Sequence, residues 1–552
     1  MKKNSVRYDY NHFLKTYFES RFKENFKPVN RVKYFNLFFL IFLIHNSLFA
    51  QMVVKTLPFS FSSSYPEPDG RREALKLSEN EFVTLSKSKG GEAGASEFTL
   101  EKYDNDLNSL FKVSLTAAEE EDYKELFFNG TDVVLFSILH ENMKQTSKLL
   151  AYGFDAKTGA KKWDKVLQEF KINNWVGLKF KGAVRESFEN CIGSCITKNF
   201  VTPLQYQYDI RISKDKKRIL TYIFDYSQQT LVASAKLWDN NLNHLQESKI
   251  PIDNNFINYG IYPNGKGDVF ILNVDRLGRM VVVKYNLESK NSDLLDIQYT
   301  STRREGLRLE FLNDDVIYVA NTCTKDGRIT GVMYSKLDFT TRLVEKINYH
   351  EISDHMKQTM KLLRQGNKNL VGEETWRGYH ITDFFLNEYE KVVLVLEKRE
   401  ITSMTYDFNQ SEINDIEKWK ATKAAKVSAE GFMIFSFNKD DELLWENVNI
   451  KSQVGDVAAG LLSSSYSMSI SDEGKIRMAY AFSSNSSGIL NSIKYIEWDE
   501  LSGNKIKELA LPNDEGLTML RGFTMWFEDK VAIAGRKGLL GKKSNIVLYK
   551  LG

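Results

Sequence analysis

The chain has 552 residues, of which 42% are hydrophobic, 27% charged and 13% aromatic, with only eight prolines; this composition excludes a disordered or low-complexity protein. The net charge of +3 conceals an asymmetry, because residues 1–50 hold nine Lys/Arg against three acids and the remainder stands at −3. A body of that charge is not a general nucleic-acid binder.

The basic lead ends in Arg31-Val32-Lys33 and runs into FNLFFLIFLIHNSLFAQ, almost wholly apolar from Phe35 to Ile44. A basic region, an apolar run of about 7–15 residues and a small residue at the cut make a secretory signal. A spanning helix wants about 20 apolar residues, and His45-Asn46-Ser47 interrupts this run. Cleavage is expected between Ala50 and Gln51. The alternative is an uncleaved signal-anchor tethered through residues 34–50, since the lead is long and Leu48 is not small. Either reading places residues 51 onward outside the cytoplasm, in the periplasm, on the outer-membrane surface or in the extracellular space. Membrane contact is expected only through this segment.

From residue 75 onward one unit recurs. A hydrophobic strand meets a polar turn, at Ser78–Asn80, Asn129–Thr131, Ser213–Asp215, Pro263–Gly265, Asn313–Asp315, Asn387–Tyr389, Ser471–Gly474 and Glu528–Asp529. A β-branched or aromatic run follows each turn, such as DVVLFSI, RILTYIF or KVVLVLE, with the composition of strands. A third strand then ends on an aromatic or leucine, usually with Asp or Asn next. These ends are Tyr103-Asp104, Phe154-Asp155, Trp238-Asp239, Tyr285-Asn286, Leu337-Asp338, Phe437-Asn438, Trp498-Asp499 and Tyr549. A short fourth strand follows most ends. The ends at 103 and 154 lie 51 residues apart, and those at 285 and 337 lie 52 apart.

About eight such units predict an all-β chain, a β-propeller of four-stranded blades, with seven blades as the alternative. The last unit, SNIVLYKLG, stops after its third strand, while MVVKTLPFSFS at 52–62 is a strand without a unit. Pairing the two closes the ring and removes two open edges. The domain division is therefore 1–50 as signal peptide or signal-anchor and 51–552 as one propeller. KGGEAGAS at 89–96 falls between two strands of one blade and reads as a hairpin tip; no phosphate-binding loop is indicated.

Three insertions, at about 171–204, 351–379 and 400–429, interrupt the period. The first holds Trp175 and the pair Cys191 and Cys195, candidates for a disulfide that would leave Cys323 alone. In the second, Met356, Met360 and Leu363 have helical spacing, as do Ile413, Ile416 and Trp419 in the third. Long loops on a propeller are where binding concentrates. Trp175, Trp376 and Arg377 are the candidate partner contacts, with the two tryptophans expected to be exposed.

Three resemblances are local. The aromatic-Asp strand ends resemble WD40-like repeats, but the Gly-His partner of that family is missing throughout, so that family is not supported and the other two likenesses carry more. The stretch GFDAKTGAKKWDK at 153–165 resembles quinoprotein-like propeller repeats through Asp155, Thr158, Gly159 and Trp163. The turns ISKDKKRIL and ISDEGKIRM resemble those of TolB-like periplasmic propellers, and the FAQ ending resembles signal peptides of Bacteroidota-type bacteria. These likenesses imply the fold and an envelope location. They carry over no cofactor, because the quinoprotein enzymes' vicinal cysteine pair is absent. Three cysteines and seven scattered histidines give no zinc spacing.

The expected function is a non-catalytic exported propeller that binds a protein or glycan at the cell envelope. The alternative is a propeller enzyme of glycoside hydrolase or lyase type acting on extracellular polysaccharide. No catalytic constellation is legible: the closest approach to a sialidase Asp box, Ser469–Gly474, lacks its tryptophan. The enzyme reading would require three or more carboxylates or histidines converging in the central channel, with one pair about 5–9 Å apart.

Overall fold

The computed structural model describes residues 53–59, 74–89, 95–118, 121–141, 144, 146–171, 208–225, 231–253, 256–275, 279–298, 306–366, 374–402, 426–456, 466–471, 473–482, 492–513, 516–537 and 544–552. Eight four-stranded antiparallel sheets form a ring, so the blade count is eight and not seven. In chain order the blades cover 74–118, 121–171, 209–252, 256–297, 308–351, 379–456, 466–512 and 517–550. First strands of neighbouring blades touch one another and so surround the axis.

Each second strand is buried on both faces. Val133, Val134, Leu135 and Phe136 are all inaccessible to solvent, which is why these runs read as continuous rather than alternating hydrophobics. The pleat sends Val134 and Phe136 toward blade 3, and Val133 and Leu135 toward blade 1. The same division around the ring produces eight hydrophobic clusters, one at each blade interface. A blade therefore has no core of its own, and each interface is supplied by two units about 50 residues apart.

The last blade takes its fourth strand from the start of the described chain. Val53–Phe59 runs antiparallel to Ser544–Lys550, from Val53 opposite Tyr549 to Phe59 opposite Ser544. Leu57 and Phe59 pack into the cluster between blades 8 and 1, with Phe59 edge-on to Phe523 at 5.0 Å. This closing strand also carries the irregularity that marks the other fourth strands. Opposite the third-strand end, one residue is left unpaired in seven of the eight blades: Leu110, Lys162, Leu245, Glu345, Leu444, Ile506 and, in the closing strand, Val54. Such a bulge bends and twists an outer strand, which discourages edge-to-edge pairing.

In blades 1 to 7 the turn after the third strand is built by its Asp or Asn. The Asp104 carboxylate accepts from the amides of Asp106 and Asn108 at 2.9 and 2.8 Å, and Asp239 does the same for Asn241 and Asn243 at the same distances. Trp238, beside Asp239, lies in the interface of blades 2 and 3 and donates its indole N–H to Thr221 at 3.0 Å. The Trp-Asp pair is therefore packing plus a turn cap. Trp163 lies over Gly153 of its own blade as well as against the interface with blade 3.

Strand parity defines two faces. Connections between first and second strands, and between third and fourth, are tight turns on one end of the ring, here the turn face. Connections between second and third strands, and from one blade to the next, open on the opposite end, the loop face.

Candidate binding face and axial cavity

All three insertions emerge on the loop face. One joins blades 2 and 3, one joins blades 5 and 6, and one joins the second and third strands of blade 6. Trp175, Cys191, Cys195 and residues 403–425 lie outside the described residues. Residues 400–402 and 426–429, expected within the third insertion, instead prolong the strands Val392–Thr402 and Lys426–Phe437.

The second insertion forms the helix α1 (Asp354–Gly366), the one α-helix among the described residues. Its start is set by Ser353, whose hydroxyl oxygen accepts from the Met356 amide at 3.0 Å, and by Asp354 in the first turn. Met356 and Met360 are buried against blades 5 and 6. Ser353 also donates to Glu446, which His350 approaches at 3.4 Å. Burial raises the Glu446 carboxyl, but these two hydrogen bonds outweigh it and hold the group below its usual range.

The helix is fastened by a buried ion network that single-sequence reading missed. Arg364 contacts Glu374 at 3.0 Å and Glu430 at 2.8 Å, and Lys398 contacts the same two carboxylates at 2.9 Å each. Two cations thus bridge two acids, uniting α1, the segment that follows it and the second and third strands of blade 6. On the other side of the same strand, Glu397 is completely buried between Lys451 and Arg399. Tyr466 of blade 7 hydrogen-bonds Asp383 and Thr382 nearby, with Lys451 over its ring. In sequence, EKRE at 397–400 looks like a solvated strand end; only the neighbouring blade and the insertion bury Glu397, Lys398 and Arg399.

Trp376 departs from the expected exposed position. It is half-buried, stacks on Tyr379 with ring centres 6.1 Å apart, and packs against the interface of blades 5 and 6. Its backbone is left-handed, at φ 57°, and its carbonyl accepts from the Ile329 amide at 2.7 Å. Arg377 beside it is exposed. Cys323 is buried in the interface of blades 4 and 5.

The axis holds a cavity of about 580 Å³, lined by first-strand residues of blades 1 to 5 and reaching the turn of blade 3. Its carboxylates are Glu125, Asp209 and Glu310, and no histidine lines it. Lys124 stands 3.5 Å from Asp209. Burial pushes the Glu310 carboxyl up to about 7, although Lys214 and Arg308 nearby act in the opposite direction. Among the described residues, no group of three or more His, Cys, Asp or Glu is placed to hold a metal ion. The lining is therefore mixed in charge, with one acid close to neutral.

No family model and no curated protein matches the chain. Solved structures do. Sqt1 of Saccharomyces cerevisiae is 8% identical with a TM-score of 0.42, over 91% of this chain and 100% of that one. The β-propeller domain of the Trilobed protease from Pyrococcus furiosus is 9% identical with a TM-score of 0.34, over 78% and 98%. A putative 6-phosphogluconolactonase from Bacteroides fragilis is 11% identical with a TM-score of 0.33, over 71% and 92%. Each is a likeness in fold alone.

Proposed function

We propose that this chain is a non-catalytic, exported binding propeller whose loop face receives a protein or glycan of the cell envelope. The observation that carries the proposal is that the strand ends joined by all three long connections lie on that face, while the turn face is built from short capped turns. The described insertion is clamped by Arg364, Glu374, Lys398 and Glu430. A pre-ordered surface loses little entropy on binding. Arg377 is its exposed cation, and Trp175 is the aromatic candidate on the first insertion. The basic lead and the apolar run at 35–44 support the export reading.

The test is affinity capture from cell envelopes, with N-terminal sequencing of the recovered protein. The proposal expects a stoichiometric partner, lost in a Trp175→Ala, Arg377→Glu double variant that still folds, and a mature N-terminus at Gln51. Capture undiminished by the double variant would remove the loop face from the proposal. Polysaccharide cleavage by the wild type that Glu310→Gln abolishes would replace it with the enzyme reading.

A further inference from the structure

We propose that the turn face carries a second docking surface, centred on Tyr389 of blade 6 and Leu501 of blade 7, for a polypeptide segment that presents Lys or Arg beside apolar side chains. It lies on the opposite end of the ring from the insertions and does not depend on the loop-face reading.

Capped turns need no apolar side chain at their tips. Between first and second strands, the residue two places after the capping Ser or Asn is polar at Asn80, Thr131, Asp215, Lys266, Asp315 and Glu473. Blade 6 has Tyr389 there, 73% exposed, its amide donating to the Asn387 side chain at 3.0 Å. After the third strands, the matching position is polar at Asp106, Lys157, Asn241, Glu288, Thr340 and Asp440. Blade 7 has Leu501 there, 72% exposed. These are the two most exposed large hydrophobic residues among the described ones. Neither turn gains from its side chain, because the cap bonds the backbone whatever stands at the tip.

Single exposed apolar residues are ordinary on a protein surface, but these two are neighbours. Lys391, two residues after Tyr389, pairs with the Glu500 carboxylate at 3.1 Å and donates to the Glu500 carbonyl at 2.6 Å. Trp445 of blade 6 donates its indole N–H to the same carbonyl at 2.9 Å. Glu500 precedes Leu501, so these bonds tie together the two segments that carry the exposed side chains. The surface is thus set before a partner arrives, which lowers the entropy lost on binding. Leu444 and Ile506 add exposed aliphatic surface at the starts of the fourth strands of the same two blades.

Charge selects the partner. The turns at 387–391, 438–443 and 499–505 together hold seven Asp or Glu against three Lys. Pairing within the fold does not cancel that excess. Lys391 is engaged by Glu500 and Lys505 by Glu508, while Lys336 of blade 5 is shared between Glu345 and Glu390. Glu388, Asp440 and Glu442 are exposed on these turns. An apolar patch among acids repels a second copy placed face to face and the anionic headgroups of a bilayer, and it attracts a cationic segment. The Tyr389 ring suits a Lys or Arg over its face, and Leu501 an apolar side chain.

The experiment titrates short fluorescent peptides with the full chain and reads anisotropy. One peptide alternates Lys and Leu, a second has Ser for Leu, and a third has Glu for Lys. Saturable binding is expected for Lys/Leu, weaker binding for Lys/Ser and none for Glu/Leu. Tyr389→Ser and Leu501→Ser should each weaken Lys/Leu binding about tenfold, the loss of one anchor, and leave Lys/Ser binding unchanged. Glu388→Gln, Asp440→Asn and Glu442→Gln combined should weaken both and flatten the salt dependence. Leu294→Ser, at an exposed leucine of blade 4, should change nothing. Circular dichroism checks that each variant is folded. Equal Lys/Leu binding by the wild type and folded Tyr389→Ser and Leu501→Ser overturns the proposal, as does an equal loss in Leu294→Ser. Flotation on phosphatidylcholine vesicles that Leu501→Ser abolishes would replace the peptide with lipid. A dimer that Leu501→Ser dissolves would replace it with a second copy. Because no loop-face partner enters the readout, failure here leaves that reading untouched.

Discussion

At the residue scale, the turns after the third strands are governed by a carboxylate or amide cap and one left-handed residue. The left-handed positions are Leu107, Gly159, Leu242, Lys290, Arg342, Asp441 and Gly503, only two of them glycine. Gly503 has a second constraint, since an added Cβ would lie 2.4 Å from Cδ2 of Trp445 on the preceding blade. Gly503→Ala is expected to cost about 2–3 kcal/mol, from overpacking and a positive φ together. Lys290 is exposed with φ 59°, so Lys290→Gly should gain about 0.5 kcal/mol, the strain relieved less the added unfolded entropy. Urea denaturation of the two variants checks both signs. The caps were legible in sequence because Asp or Asn at a strand end acts on its own backbone. The Gly503–Trp445 contact was not, because the tryptophan belongs to another blade.

At the element scale, α1 is attached to blade 6 by charge as well as by Met356 and Met360. Removing Lys398 would leave the Glu374 carboxylate, 5% exposed, and the partly buried Glu430 to Arg364. Lys398→Met should therefore cost about 3–5 kcal/mol, the usual result of breaking a buried pair from one side. The pH dependence has a definite sign. Burial raises the Glu430 carboxyl, but Lys398 and Arg364 outweigh it and hold the group below 4.5. A depressed carboxylate stabilises the fold above its unfolded pKa and loses that contribution as the pH falls through the folded value. The clamp is full at neutral pH and released in acid. Amide exchange in α1, corrected for intrinsic rates, should accelerate on acidification more than exchange in the second strand of blade 4, Val269–Asp275, where the aspartate is terminal. Helical spacing of methionines announced α1 in the sequence. The clamp was hidden because its members lie at 364, 374, 398 and 430, without any period.

At the scale of the whole molecule, closure joins residues 53–59 to 544–550. These strands lie nearly 500 residues apart, so the ring cannot close before the strand Ser544–Lys550 has been made. A chain beginning at residue 61 would lose the packing of Leu57 and Phe59 and expose the edge of Ser544–Lys550. Compared with a chain beginning at residue 51, it should be less stable by about 3 kcal/mol and elute as higher oligomers on size exclusion. Equal stability and a monomeric profile would show that the closing strand is dispensable.

The sequence by itself determined the repeat, the strand ends, the caps and the closing strand, because each is written in residues close together or in a period that recurs eight times. Tertiary structure alone decided the rest. It buried Glu397, Lys398 and Arg399 beneath the neighbouring blade and the second insertion, and it turned Trp376 inward onto Tyr379. It also set the flanking strand ends of the three insertions on one face and gathered Arg211, Lys214 and Glu310 from blades about 100 residues apart around one axis. Local hydrogen bonding and hydrophobic period specify a blade, but the charge balance of a cavity exists only after the blades have closed around it.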